Sequence, residues 1–197
     1  QTCALPISSG WTGTLAEFIA DLRSNPRYYA ADLSTYIEKA SEIGKRIDAL
    51  LPRYFAQLPR LPWGIRIKPA DMEASSSGYD PGDPQRGVAG AVAVGARSFR
   101  EPLTSLPAWI LHEGVPGHHL QIALAQERTD LPEFRRKDDI TAFVEGWALY
   151  AEDLGEEMGV YRNPLEQFGH LAFNAWRACR LVMDVGIHWH GVEPALA

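Results

Sequence analysis

The sequence predicts a mainly α-helical fold with a small β element directly before a histidine-rich helix. Apolar residues recur at helical spacing over long segments, while two short stretches alternate in the way that strands do. Pro, Gly and Asn stand at the boundaries between these segments, where helices and strands commonly begin or end. With 197 residues, of which 46% are hydrophobic, the chain is long and apolar enough for one packed domain.

Helices are predicted on both sides of the β element. TLAEFIADLRSN has helical periodicity and stops before Pro26, and the next segment carries a long amphipathic stripe that ends before Pro59. GIRIKP and VAGAVAVGA are predicted strands, separated by the turn-rich loop SSSGYDPGDPQRG. The predicted β element therefore comprises two or three short strands.

The last predicted helix begins at Asn163 as N-cap and Pro164 as first helical residue, which is a typical helix-start signal. Apolar residues flank a narrow polar stripe on both sides, so this helix is predicted to be buried. The stripe consists of Arg177, Arg180, Asp184 and His188.

Composition and charge limit the partners of this chain. The net charge is −6 and there is no block of Lys and Arg, which argues against nucleic acid as a partner. No apolar run approaches the roughly 20 residues that a membrane span needs. Residues 1–7, QTCALPI, match the translation of a common sequencing adapter and are expected to be a non-native leader. Without a native N-terminus, the sequence leaves a cytoplasmic and an exported location equally open.

The stretch ILHEGVPGHHLQ is the clearest functional signal in the sequence. Zinc requires nitrogen or oxygen ligands that converge at about 2 Å, and a straight helix supplies two His at positions i and i+4. Counting from His112, position i+4 is Pro116, which cannot continue a regular helix, whereas Gly117 permits unusual backbone angles. A local bulge of two residues would bring His118 to the place that i+4 normally takes.

The predicted metal ligands are therefore His112 and His118, with His119 as the alternative second ligand. Glu113, next to the first ligand, is the predicted general base, which would take a proton from a metal-activated water. The competing interpretation is a broken helix whose histidines lie at the surface.

A third ligand is predicted at Glu145, the only charged residue in ITAFVEGWALYA. A buried carboxylate without a partner is very costly, so Glu145 is expected either to bind metal or to pair with Arg177 or Arg180. Glu152, seven residues further on, lies on the same helix face. It is either a hydrogen-bond partner of a ligand histidine or a solvated charge at the helix end.

Polar groups near the chain end complete the predicted site. His188 and Arg180 are predicted catalytic residues that stabilise an oxyanion or hold a substrate carboxylate. The structural alternative for Arg180 is an i, i+4 ion pair with Asp184. Arg177, Tyr161 and Tyr79 are predicted to bind substrate, and ordinary packing is the alternative for the two tyrosines. VAGAVAVGA is predicted to bind an extended substrate along an exposed edge, or else to be an ordinary half-buried strand.

Several motifs resemble the bacterial family called domain of unknown function 885. They are HEGVPGHHLQ, FVEGWALYAEDLGEEMGVY, WRACRLVMDVGIHWHG and, more weakly, LPRYFAQLPRLP, and the resemblance covers nearly everything after residue 10. Members of that family are longer, so the resemblance implies that residues 8–197 are the single C-terminal, site-bearing part of a larger catalytic domain. The missing N-terminal half would wall the cleft and is thus a predicted partner.

The family in turn resembles the helical gluzincin peptidases, whose zinc helix often reads H-E-x-G-H and whose third ligand is a downstream Glu. This resemblance implies a zincin-like helical fold and a Zn²⁺ cofactor, with Glu113 as base and Glu145 as third ligand. Alignment of its Gly-His favours His118 over His119. Gly114 departs from the family, which usually carries a larger residue there.

The predicted function is that of a zinc metallopeptidase that cleaves peptide or dipeptide amide bonds. Two alternatives stay open: a non-catalytic binding module stabilised by the metal, and a zinc hydrolase that acts on esters or non-peptide amides.

Overall fold

The computed structural model describes residues 8–69, 77–137 and 140–193. Residues 1–7, the predicted non-native leader, lie outside the described residues. The prediction of a mainly helical fold with a small β element before the histidine-rich helix is confirmed. In chain order the elements are α1 (Leu15–Ser24), α2 (Leu33–Asp48), β1 (Trp63–Ile67), β2 (Gly78–Asp80), β3 (Gly90–Val94), α3 (Leu106–Glu113), α4 (His118–Glu127), α5 (Glu133–Lys137), α6 (Thr141–Glu157) and α7 (Pro164–His188).

Side-chain caps fix where several helices begin. Thr14 and Glu17 form a reciprocal capping box at the start of α1, and Asp32 accepts a hydrogen bond from the backbone of the first turn of α2. Asn163 accepts two backbone hydrogen bonds at the start of α7, and Pro164 occupies the first helical position, as predicted.

The sheet has the strand order β1–β3–β2, with β3 parallel to β1 and antiparallel to β2. Every residue of β3 is buried. The prediction that VAGAVAVGA offers an exposed edge is wrong, because β3 is the middle strand and pairs with β1 on one side and β2 on the other. An outer strand of this sheet is β2, which lies in a segment predicted to be a loop.

Helix α3 is the centre of the fold, since it packs against α2, α6 and α7. Its Ile110 and Leu111 are fully buried in one apolar core with Ile47 of α2 and Val92 of β3. A smaller cluster joins α1 to the beginning of α7, where the rings of Phe18 and Phe168 meet edge to face at 5.0 Å. The beginning of the histidine-rich segment is thereby anchored in the apolar core.

The second half of α7 is exposed, so the prediction that the last helix is buried is wrong. Leu181 and Val182 are 72% and 75% exposed, and the buried residues of α7 all lie near its beginning. An apolar pattern shows that a helix face is suited to burial, but it does not show what covers that face. No helix within the described residues is both long and apolar enough to cross a membrane.

Two glycines of α7 provide a matched test of how this helix is held. A Cβ at Gly169 would lie 2.5 Å from the carbonyl carbon of Thr104, whereas a Cβ at Gly186 would meet nothing within 4 Å. We expect Gly169→Ala to lower the free energy of unfolding by about 2 kcal/mol or more, because the backbone of the segment before α3 cannot move aside without loss of packing.

Gly186→Ala should instead raise the free energy of unfolding by about 0.5–1 kcal/mol, since Ala is the better helix former. Chemical denaturation of both variants measures these values. Equal effects of the two substitutions would contradict the close approach of α7 to Thr104.

Candidate metal centre

The helix break between α3 and α4 positions the histidines. Helix α3 ends at Glu113 and α4 begins at His118. Across the break, the Gly117 N–H donates to the Leu111 carbonyl at 3.0 Å, six residues back instead of the four of a regular helix. The turn thus contains two extra residues, which is the bulge that Pro116 and Gly117 predict.

Tight packing holds this turn in place. A Cβ at Gly117 would lie 2.6 Å from the carbonyl carbon of His112, and one at Gly114 would lie 2.7 Å from the ring of Trp63. From the other side, the indole N–H of Trp147 in α6 donates to the Pro116 carbonyl at 2.8 Å. Gly114 therefore leaves the room that Trp63 occupies.

The break brings the side chains of His112 and His118 together with that of Glu145 from α6. The distance from His112 Nε2 to Glu145 Oε2 is 3.2 Å, and that from His118 Nε2 to Glu145 Oε1 is 3.6 Å. One donor atom from each residue lies within 4.8 Å of the other two. The two imidazoles are buried, whereas the Glu145 side chain is 53% exposed.

The chemistry of these three residues is that of a zinc ligand set. Bonds of about 2 Å at tetrahedral angles place donor atoms about 3.3 Å apart, near the two distances to Glu145, while the group as a whole lies within 4.8 Å. Two imidazoles and one carboxylate are a common ligand set of zinc enzymes, and the fourth position is then left for water or substrate. Neither arginine predicted as an alternative partner of Glu145 pairs with it within the part of the chain described.

His119 points elsewhere, because both of its ring nitrogens are hydrogen bonded. Nδ1 lies 2.9 Å from the Tyr79 hydroxyl, and Nε2 lies 3.0 Å from the Leu61 carbonyl. Burial lowers the pKa of His119 and so favours the neutral ring, in which Nε2–H donates to the Leu61 carbonyl and Nδ1 accepts from the Tyr79 hydroxyl. His118, and not the alternative ligand His119, joins the group with His112.

Glu152 is hydrogen bonded to Nδ1 of His112, the ring nitrogen that does not face Glu145. Its carboxylate is fully buried and accepts a hydrogen bond from His112 Nδ1 at 2.7 Å. This contact leaves Nε2 of the ring directed at the shared centre, as in the carboxylate–histidine pairs of known metal sites. Burial opposes a charge on His112, but the hydrogen bond to Glu152 and the nearby carboxylates raise its pKa on balance.

Arg177 is predicted to bind substrate, but its guanidinium is occupied by Glu152. Two hydrogen bonds of 2.7 and 2.6 Å join them in a two-pronged ion pair. Tyr161, also predicted to bind substrate, is buried; its hydroxyl donates to the Glu152 backbone carbonyl at 2.8 Å and its ring stacks on His170. Both side chains contact Glu152, and Arg177 also lines the cavity described below, so its role in substrate binding stays a prediction.

Glu113 lies beside the histidines and next to the outer strand β2. Its Oε2 is 3.9 Å from His118 Nε2, and its carboxylate lies beside the backbone of Gly78 and Tyr79, whose N–H favours the charged form. Burial and the charge of Glu145 raise the pKa of Glu113 to about 7, although His112 opposes the rise. The backbone of Tyr79, which is predicted to bind substrate, thus lies beside Glu113, while its hydroxyl is hydrogen bonded to His119.

A cavity of about 1020 Å³ opens in front of these groups. Arg180, predicted to be catalytic, lines it together with Glu113. The sequence did not indicate its aromatic wall, because aromatic residues at helical spacing are most often core residues. That wall is formed by Trp109, Phe173 and Trp176.

His188, predicted to be catalytic, does not reach this cavity. It lines a separate pocket with Asp184 and Trp189 at the end of α7. The helix is continuous, so a rise of 1.5 Å per residue places His188 about 16 Å along the axis from Arg177. The polar stripe of α7 is therefore too long for all of its members to serve one site.

The ion pair of Glu152 and Arg177 can be tested by stability. We expect Arg177→Leu to lower the free energy of unfolding by about 3 kcal/mol, because it leaves a fully buried carboxylate without its cation. Chemical denaturation of the metal-free protein measures the loss. Arg180→Leu on the same helix is the control and should change stability by less than about 0.5 kcal/mol, since Arg180 is exposed.

A second substitution identifies the cause of that loss. In the double variant Glu152→Gln/Arg177→Leu the unpaired charge is absent, so most of the stability should return. If Arg177→Leu costs no more than Arg180→Leu, the ion pair does not support the fold.

Comparison with known proteins comes from a family model and from solved structures. No curated protein matches this chain in sequence. A solved structure, described as "the putative lipoprotein from Colwellia psychrerythraea", matches with a TM-score of 0.85 and 29% identity over 95% of this chain. The chain spans only 34% of that protein's length. The model of a family described as bacterial protein of unknown function, DUF885, matches residues 4–197, so the chain belongs to that family.

Proposed function

We propose that this protein is a zinc-dependent hydrolase, and specifically a metallopeptidase that cleaves peptide or dipeptide amide bonds. The observation that carries the proposal is the convergence of His112, His118 and Glu145 on one point beside Glu113. This point faces a cavity large enough for a short peptide.

His112, His118 and Glu145 would hold the zinc ion. Bound Zn²⁺ supplies a Lewis acid that polarises a carbonyl group and lowers the pKa of water. Glu152 and Arg177 fix the orientation of the His112 ring by hydrogen bonds, so the ligand is positioned before any metal binds.

Glu113 is the proposed general base. Its carboxylate accepts the proton of the attacking water and then delivers that proton to the nitrogen of the leaving amine. Its neighbour β2 is an outer strand of the sheet, beside which the backbone of an extended peptide can lie. This strand replaces β3, the buried strand that the sequence predicts for that role.

The proposal extends to a longer gluzincin-like protein. The H-E and G-H elements at residues 112–113 and 117–118 and the downstream Glu145 support the gluzincin relationship. In such a protein an N-terminal half would pack against this part and complete the cleft. The exposed apolar side chains of α7 provide a suitable surface for that packing. An exported location would agree with the description of the solved relative as a lipoprotein.

Metal binding is the first test. We expect the protein to bind one zinc ion per chain, and Glu145→Gln to weaken zinc binding by more than about a hundredfold, because a ligand is lost. Elemental analysis and competition with a zinc-binding dye measure stoichiometry and affinity. Removal of the metal with a chelator should lower the melting temperature of the native protein.

Glu156→Gln is the matched control, since Glu156 is an exposed carboxylate on the same helix α6. This variant should bind zinc as the native protein does. An equal loss in the two variants, or no zinc binding by the native chain, would contradict the proposed ligand set.

Turnover is the second test. Glu113→Gln should retain zinc but lose about 10²- to 10⁴-fold in kcat on peptide substrates, because the proton acceptor is gone. Hydrolysis of a mixed peptide library, followed by mass spectrometry, measures this. Zinc binding without any turnover in the native protein would favour a binding module, and turnover of esters alone would favour the esterase alternative.

A further inference from the structure

We propose that Arg180 binds the free C-terminal carboxylate of the substrate, so that the enzyme removes one or two residues from the C-terminus of a short peptide. This inference rests on the proposed peptidase function and names its substrate class. It does not require His188, which lies in a different pocket.

Arg180 lines the cavity as a cation without an acidic partner. Among the described residues no carboxylate forms an ion pair with it, and the predicted pair with Asp184 is not formed. Its guanidinium carbon lies 4.8 Å from the centre of the Trp176 ring. Arg177, one turn earlier on the same face, is by contrast fully engaged by Glu152.

The charges that line the cavity explain why a cation at Arg180 would matter for binding an anionic substrate. Glu101, Glu113 and Glu145 all line the cavity, and they would repel an anionic substrate unless a cation binds it. Two further arginines line the cavity: Arg177 is paired with Glu152, and Arg97 also makes a contact of its own. A planar guanidinium suits a carboxylate because two parallel hydrogen bonds can form between them. Stacking on Trp176 limits the orientations of the Arg180 guanidinium, so less entropy is lost on binding.

The position of Arg180 sets how far the bound carboxylate lies from the reacting bond. Arg177 contacts Glu152 and comes within 3.4 Å of His112 Nδ1, which places this part of α7 directly beside the metal ligands. Arg180 lies three residues on, about 4.5 Å along the helix axis. An extended peptide advances about 3.3–3.6 Å per residue, so one or two residues fit between the carboxylate and the bond cleaved.

The aromatic residues that line the cavity indicate which side chain the released C-terminal residue carries. Trp109, Phe173 and Trp176 line the same cavity as Arg180, and Trp176 lies against its guanidinium. These rings favour an apolar or aromatic side chain next to the bound carboxylate. The inferred substrate is therefore a short peptide with a free C-terminus and an apolar or aromatic last residue.

Binding provides a test that does not depend on turnover. The zinc-loaded Glu113→Gln variant is titrated by calorimetry with N-acetyl-alanyl-phenylalanine and with its C-terminal amide. We expect the free acid to bind about 10- to 100-fold more tightly than the amide, as charge-assisted hydrogen bonds imply. Adding Arg180→Gln should abolish this preference, and Arg180→Lys should retain part of it.

Arg100→Gln is the matched control, because Arg100 is also exposed and stacks on an aromatic ring, that of Phe99, but does not line the cavity. This variant should keep the preference for the free acid. A preference that survives Arg180→Gln would show that the metal or another group binds the carboxylate, and would overturn the inference. Loss of the preference in Arg97→Gln instead of Arg180→Gln would overturn it as well.

Cleavage separates this inference from the proposed function. With the native zinc-loaded protein, acetylated tripeptides with a free C-terminus should show a kcat/KM about 10- to 100-fold above that of their amides, mainly through KM. Mass spectrometry should find products shortened by one or two C-terminal residues. Equal cleavage of acids and amides would overturn the inference and leave the peptidase function standing. If neither is cleaved, the proposed function fails and the inference fails with it.

Discussion

The hydrogen bond from Gly117 to the Leu111 carbonyl is the constraint on which the site depends. It closes a turn with two more residues than a helix allows, and these residues rotate His118 toward the face that carries His112. A side chain larger than hydrogen at Gly117 would overlap the backbone of α3. The departure from regular helix thus creates the pair of imidazoles, and the core around α3 holds it in place.

A buried carboxylate connects this turn to the remaining helices. Glu152 of α6 binds His112 of α3 and Arg177 of α7, so one charged group links three helices. A carboxylate with no solvent exposure is stable only when its oxygens are paired, and here His112 and Arg177 both pair with them. The same contacts that stabilise the helix packing therefore also orient a candidate metal ligand, so the proposed metal binding would depend on the stability of this packing.

The polar residues of α7 differ in their surroundings according to their distance from the Glu152 carboxylate. Arg177 is paired with Glu152 at the inner side of the cavity, Arg180 lines the cavity as well, and His188 lies in a separate pocket. Their common spacing on the helix indicated one shared role, but a helix face extends far beyond a single site. The outer strand β2 shows the converse: its three residues are too few for a recognisable alternation, yet its backbone contacts Glu113.

The sequence by itself determined the helices, the break at Pro116 and Gly117, and the residues from which the candidate site is built, because periodicity, caps and helix breakers act within a short stretch of chain. Only the tertiary structure decided that His119 is held by Tyr79 and Leu61, that Arg177 pairs with Glu152, that β3 is buried and that half of α7 is exposed. Each of these depends on contacts between residues far apart in the chain. Such contacts follow from how the helices and strands pack, and the local pattern of residue types does not predict that packing.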